Sequence, residues 1–274
     1  MKHLKKEIKL MFPALCPEEK ALSYSKYMDL PIDPLPENIL EQIKADPLQS
    51  DKVLPIERIT HFFEHGFEET DFGFRILDDG VGYLAHYLYV PDLDMPKLGW
   101  WFGWSGQKPE SFPDGCGNIR YKIWCPPDHW DHCPANGLDD SDGTIMEESL
   151  DMGSGGPVIR SLVRAIDPRE IGVSKELLDE YGEKHQVLQL THEHSENVTD
   201  RIFSAIMRPC PDGGLELRAR VWWGYRYEGK KFVRDDDPGK LQCSEKLLRN
   251  NLLHSSYEFN HLRKLLPLIY AEAR

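Results

Sequence analysis

Long apolar runs are missing from this 274-residue chain. No stretch approaches the roughly 20 apolar residues that cross a bilayer, and the mean hydropathy is −0.52. Positive charge is short as well: 33 Lys and Arg against 46 Asp and Glu leave a net charge of −13. A field of that sign repels phosphate backbones and anionic lipid, so nucleic acid and membrane surfaces are excluded as expected partners. Cysteine is sparse and unpatterned. The six residues, Cys16, Cys116, Cys125, Cys133, Cys210 and Cys243, form no CxxC pair, and a chain of this length needs no disulfide staples, so reduced thiols are expected. The basic start, Met1-Lys-His-Leu-Lys-Lys, is followed by an apolar run from Leu10 to Leu15 broken by Pro13. That run is too short for a signal peptide, and a cytoplasmic protein is expected. Internal repeats and low-complexity tracts are absent. What is present suffices for a core, with 40% hydrophobic and 11% aromatic residues.

The chain changes texture along its length. Residues 1–55 carry prolines at 13, 17, 31, 34, 36 and 47 around short helical patterns such as Glu37-Asn-Ile-Leu-Glu-Gln-Ile-Lys44. Such a segment buries little by itself and must pack on the main domain, 56–274, or on another subunit. From about residue 70 the apolar period becomes two. Phe72–Leu77 and Val81–Val90 flank Asp78-Asp79-Gly80, a hairpin signal. Asn118–Cys125, Pro157–Ile166 and Gln186–His194 also read as strands, with a helix over Ser174–Tyr181. Arg201–Arg208 and Leu215–Tyr227 form a second hairpin. Its later arm sets Leu217, Ala219, Val221, Trp223, Tyr225 and Tyr227 against Glu216, Arg218, Arg220, Trp222 and Arg226, which predicts a sheet with one solvated side. At the end, Ser244 suits a helix N-cap, and Leu247, His254, Glu258, Leu262, Leu265 and Ile269 share a helical stripe that Pro267 should kink or end. The expected class is α+β: a curved antiparallel sheet gripping one long C-terminal helix, with a pocket between them.

Four groups could carry chemistry. His254 and Glu258, at i and i+4 on the inward stripe, stand one above the other. A buried carboxylate needs compensation, which a metal ion supplies; a plain His–Glu hydrogen bond is the alternative. Cys125-Pro-Pro-Asp-His-Trp-Asp-His-Cys133 offers Cys125, His129, His132 and Cys133, either as a structural zinc site or as a pocket rim after a strand. In Thr144-Ile-Met-Glu-Glu-Ser149, strand alternation lets one of Glu147 and Glu148 face the pocket. His192 and His194 share a strand face and could chelate a metal or simply be exposed. Tyr121, Tyr225 and Tyr227 fall on apolar strand faces, where each phenol needs a partner.

Three stretches, Trp100-Trp-Phe-Gly-Trp104, Arg120-Tyr-Lys-Ile-Trp-Cys-Pro-Pro-Asp-His129 and His254-Ser-Ser-Tyr-Glu258, resemble the diacetylphloroglucinol and phloretin hydrolase family from about residue 70 to the end. The resemblance implies a zinc-dependent hydrolase that cuts the carbon–carbon bond between an acyl group and a phloroglucinol ring. It also implies a birch-pollen-allergen-like helix-grip fold with a small N-terminal region used in homodimerisation. Carried over, the zinc ligands would be His129, His254, Glu258 and Glu148, with Glu147 next in line for the last. Tyr121 and Tyr225 would contact substrate hydroxyls, and Tyr121, Tyr225 and His132 would hold the ring and relay a proton. His132 stands where the member acting on the diacetyl compound has an asparagine, which favours a mono-acyl ring such as phloretin over diacetylphloroglucinol. Two rivals from other classes remain: a non-haem iron oxygenase, since two histidines and a carboxylate also suit ferrous iron, and a non-enzymatic carrier of hydrophobic ligands in an aromatic-lined cavity.

Overall fold

The period-two segments pair as a single antiparallel sheet. In the computed structural model, which describes residues 13–64, 70–107, 116–137 and 140–273, the strands are β1 (Gly73–Ile76), β2 (Gly82–Val90), β3 (His129–Pro134), β4 (Thr144–Glu148), β5 (Ile159–Ala165), β6 (Val187–Ser195), β7 (Arg201–Pro209) and β8 (Leu215–Trp223). They form an eight-stranded sheet in the order β1-β2-β8-β7-β6-β5-β4-β3. β9 (Tyr225–Glu228) and β10 (Lys231–Arg234) make a separate two-stranded ribbon. The helices are α1 (Pro17–Lys20), α2 (Glu37–Lys44), α3 (Met95–Ser105), α4 (Ile119–Lys122), α5 (Lys175–Glu183) and α6 (Glu245–Glu272). The mixed α+β class, the large antiparallel sheet and the long last helix are as expected. The basic start at Met1 lies outside the described residues.

Cross-strand register sorts the side chains onto two faces. On one, Leu84, Phe203, Val221 and Trp223 meet Leu248 and Leu252 of α6, while Leu88, Val90, Leu215 and Leu217 meet Phe259, Leu262, Leu265, Leu266 and Ile269. Ser244 caps α6 by accepting the N–H of Leu247. Pro267 does not end the helix, which runs on to Glu272. The loss of one N–H near the C-terminus is offset by the fully buried leucines around it.

The other face departs from the sequence reading. It is not solvated: Tyr83, Ile202, Ile206 and Trp222 pack against Ile56, Ile59, Phe62 and Phe63 of a 3-10 helix and against Val173 and Tyr181. Arg218 and Arg220 are 1% and 0% exposed. Both reach Asp71, at 3.0 and 2.6 Å, and both lie over the Phe62 ring. A covering segment that supplies both a carboxylate and an aromatic face lets charged residues occupy a buried strand face.

Two further expectations are corrected. Asn118–Cys125 is not a strand, because Asn118 caps α4 by accepting the N–H of Arg120. Ile119, Tyr121, Lys122 and Ile123 are all buried there, so alternation carried no facing information. Cys16 and Cys116 are not reduced thiols: they form a disulfide across 100 residues of chain, a pairing that sequence spacing cannot reveal. Among the described residues, Cys125, Cys133, Cys210 and Cys243 are outside any disulfide.

Near that disulfide the N-terminal segment is anchored by charge. Lys122 Nζ lies 2.8 Å from the Glu19 carboxylate, and the two side chains are 3% and 0% exposed. Further on, Arg249 donates to the carbonyl of Ala45 at 2.9 Å, and Leu35 and Ile43 pack with Leu248 and Leu252. Removing one partner of a buried ion pair strands the other charge at a cost of about 3–5 kcal/mol. Lys122→Met should therefore lower the unfolding free energy in urea by that amount, and the double change Glu19→Leu/Lys122→Met should recover most of it; a loss below about 1 kcal/mol in the single variant would contradict a buried pair.

Candidate active site

Asn118 sets the local frame of the site. Its side-chain amide donates to the carbonyls of Ser105 and His132, at 2.8 Å each, and so ties α3, α4 and β3 together. Pro126 and Pro127 cannot prolong α4, and the Cys125 carbonyl instead accepts the N–H groups of Asp128 and His129 at 2.9 Å. His129 then opens β3 directly opposite Glu148 on β4, with a bulge between His129 and Asp131. Bulges of this kind re-aim side chains beside functional sites.

The His129 ring is stacked on Tyr121 with centroids 3.9 Å apart, and its Nδ1 lies 3.1 Å from the Tyr121 carbonyl, an arrangement in which Nδ1–H donates. Nε2 is therefore left as a lone-pair donor, buried and without a hydrogen-bond partner. Three groups surround it. Glu258 Oε2 is 3.5 Å away, Glu148 Oε1 is 3.7 Å away, and the His254 ring centroid is 5.2 Å from that of His129. His254 Nε2 in turn lies 3.7 Å from Glu258 Oε2. Ligands about 2.0–2.2 Å from a tetrahedral zinc stand about 3.3–3.6 Å from one another, so these spacings fit an ion at the centre. Cys125, His129 and His254 also offer ligand atoms that all lie within 4.8 Å of one another. The Cys125 thiol is pushed up to about 11 by burial and so resists becoming a ligand by itself, although the nearby His254 pulls the other way.

Partners behind these side chains orient them. Asp128 Oδ2 is 2.8 Å from His254 Nδ1, which frees Nε2 to face Glu258. Burial works against ionisation of Asp128, but the His254 ring and the N–H groups of Met152 and Asp151 hold it well below the ordinary carboxylate range. Burial likewise disfavours a charged His254, yet Glu258 and Asp128 keep its pKa well above the usual value. Glu148 accepts the Tyr121 hydroxyl at one oxygen and faces the Arg201 guanidinium, 3.7 Å away, at the other. Arg201 is itself paired with Glu193 and lies over the Trp223 ring. Glu147, on the opposite face of β4, pairs with Arg160 at the surface.

These groups open onto a cavity of about 540 Å³ between the sheet and α6. Tyr121, His132, Glu148, His254 and Glu258 line it, so five of the expected site residues converge. Tyr225 does not. Gly224, with φ of 101°, turns the chain out of β8, and Tyr225 packs under Arg234 on the other side of the sheet. Tyr227 points the same way and donates to Glu170. His192 and His194 share the Asp200 carboxylate, which Lys240 also reaches. Cys133 follows His132 on β3 and so takes the opposite strand face, which breaks up the proposed cysteine–histidine quartet. The sequence reading missed Asp128, Glu193 and Arg201. The first stands beside His129 in the quoted motif, whereas the other two look like ordinary strand charges until the strands pair and Arg201 faces both Glu193 and Glu148.

Residues 54–271 match the family model described as the DAPG hydrolase PhiG domain, which covers most of the chain. Phloretin hydrolase of Eubacterium ramulus is 26% identical over 278 residues, spanning 94% of this chain and 92% of that protein. The 2,4-diacetylphloroglucinol hydrolase of a Pseudomonas species is 22% identical over 271 residues, spanning 91% of this chain and 87% of the relative. That of Pseudomonas protegens is also 22% identical and is covered over 84% of its length. The chain therefore belongs to the DAPG hydrolase family, as the motifs around Trp100, His129 and His254 implied.

An ion held beside His129 would compete with a proton for the His254 ring. Because Glu258 and Asp128 raise its pKa, the ring is protonated below that value, and an ion bound there would have to displace the proton. Divalent-ion affinity measured by competition with a chromogenic chelator should fall steadily as pH is lowered from 8 towards about 5, with proton release on loading. Affinity independent of pH would remove His254 from the ion's coordination.

Proposed function

We propose that this member of the DAPG hydrolase family hydrolyses the carbon–carbon bond between an acyl group and a phloroglucinol ring. Phloretin is the favoured substrate and diacetylphloroglucinol the next. The observation that carries the reading is the orphaned His129 Nε2, enclosed by Glu148, Glu258 and His254 at the wall of a cavity large enough for both halves of such a molecule. The first-named relative, a phloretin hydrolase, and the presence of His132 at the third position after His129 support the order of substrates. We read the curved sheet around α6 as a helix-grip arrangement, supported by the packing of α6 along β1 and β2.

His129, Glu148, His254 and Glu258 would hold zinc. When bound, such an ion lowers the pKa of a water towards about 7 and polarises a carbonyl. In the overall reaction water delivers hydroxyl to the acyl carbon and a proton to the ring carbon as the bond between them breaks. The chain's own residues act on the ring side. Tyr121 Oη already donates to Glu148, and burial, with Glu148 beside it, raises the phenol's pKa well above the ordinary value, so it stays a neutral hydroxyl that can hydrogen-bond a ring hydroxyl and relay a proton only in concert with Glu148 at that atom. His132, whose ring lies 5.0 Å from that of Tyr121, lines the same part of the cavity. Phe102, Trp124 and Phe259 close that end of the cavity and exclude water from the ring.

Incubating zinc-loaded protein with phloretin and with mono- and diacetylphloroglucinol, and following phloroglucinol and the free acids by chromatography, tests this directly. Cleavage of none of the three would sink the reading. Tyr121→Phe should reduce turnover by about 10²–10⁴-fold while retaining bound metal; full turnover in that variant would take the proton-transfer role from Tyr121.

A further inference from the structure

The cavity has a second polar pole that the chemistry above leaves unused. Thr191, on the cavity face of β6, is 6% exposed, and its Oγ1 is buried without a hydrogen-bond partner. A hydroxyl left in that state costs free energy unless a ligand completes it. Register places it. Thr191 pairs with Phe203, Phe203 with Val221, and Val221 with Leu84, which forms one row across the concave face. Leu84 and Val221 pack on Leu248 and Leu252, the turn of α6 that also carries Asn251. Asn251 lines the same cavity, three residues before His254. Thr191 and Asn251 therefore face the cavity from opposite walls at one level. Thr191 is two residues from Glu193, about 7 Å along the strand, which sets it one pleat repeat beyond the Glu193–Arg201 pair that reaches Glu148.

Leu84, Phe203, Val221 and Val163 give the cavity apolar wall along this row and beside it. The end that receives the ring is built instead from α3, α4 and β3, with Phe102, Tyr121, Trp124 and His132. The region of Thr191 and Asn251 thus faces the other half of the substrate. A threonine hydroxyl and a carboxamide each donate and accept, so together they match a neutral group that does the same, and the apolar walls before them suit an aryl or alkyl arm. Resting on the reading of this cavity as an acylphloroglucinol site, we infer that Thr191, with Asn251, is a specificity-determining residue that hydrogen-bonds a hydroxyl at the far end of the acyl arm. The acyl group cut by this enzyme is then a hydroxyaryl-alkanoyl group rather than acetyl.

Two acylphloroglucinols that differ by one atom test this, one with a 3-(4-hydroxyphenyl)propanoyl arm and one with a 3-phenylpropanoyl arm. Wild-type enzyme should favour the hydroxylated arm in kcat/KM by about 10- to 100-fold, and the near-isosteric Thr191→Val should bring that ratio close to one, with Asn251→Leu reducing it in the same direction. A Thr191→Val enzyme that loses equally on both substrates, or keeps the wild-type ratio, would overturn the assignment. Were wild type to cleave neither compound, the catalytic reading would fail, and titration with the two free arylpropanoic acids, followed by tryptophan fluorescence, would decide this site alone. Preference for the hydroxylated acid that Thr191→Val abolishes supports it, and equal binding by wild type rejects it.

Discussion

The burial of charge where β3 and β4 meet α6 governs the rest of this molecule. Glu148, Glu258 and Asp128 are all at least nine-tenths buried, and none could remain so against a purely apolar surround. Their compensation comes from side chains distant in sequence: His129 at the start of β3, His254 on α6 and Arg201 on β7. Each is held by a separate local device. Cross-strand register sets His129 against Glu148, helical spacing sets His254 over Glu258, and Asp128 fixes the His254 ring. Such a cluster is satisfied as a unit or not at all, which makes it a strict determinant of how the helix seats on the sheet.

The sheet can serve as a rigid floor for that cluster because both of its faces are covered. On the face away from α6, the 3-10 helix Ile56–Phe63 and the Asp71 carboxylate neutralise and enclose Arg218 and Arg220. On the face towards α6, the helix covers both ends of β2 and β8, and the cavity lies between the helix and the sheet. The N-terminal segment adds a strap. Through Glu19, Lys122 and the Cys16–Cys116 disulfide it braces the short helix that carries Tyr121, so residues with little apolar surface of their own hold a cavity-lining side chain in place.

Much of this was legible from residue pattern. The hairpins around Gly80 and Gly213, the last helix with its Ser244 cap, and the inward stripe bearing His254 and Glu258 all follow from local periodicity, which depends on neighbours within one turn or one pleat. Strand alternation also separated Glu148 from Glu147. Periodicity failed where a segment is enclosed on every side. Ile119–Lys122 alternates like a strand yet forms a buried helical turn, because Asn118 caps it. Arg218 and Arg220 look solvated in the sequence because nothing local announces Phe62 and Asp71 above them.

By itself, then, the sequence determined the hairpins around Gly80 and Gly213, the last helix, the pairing of His254 with Glu258 on one helix face and the membership of the family. Tertiary structure alone decided that Tyr225 leaves the cavity where Gly224 turns the strand, that Cys16 meets Cys116, and that Asp128, Glu193, Arg201 and Thr191 enter the site. The physical reason is the range of the forces involved. Backbone preference and side-chain spacing act over a few residues, whereas enclosure and charge compensation depend on which distant surfaces come to rest against one another.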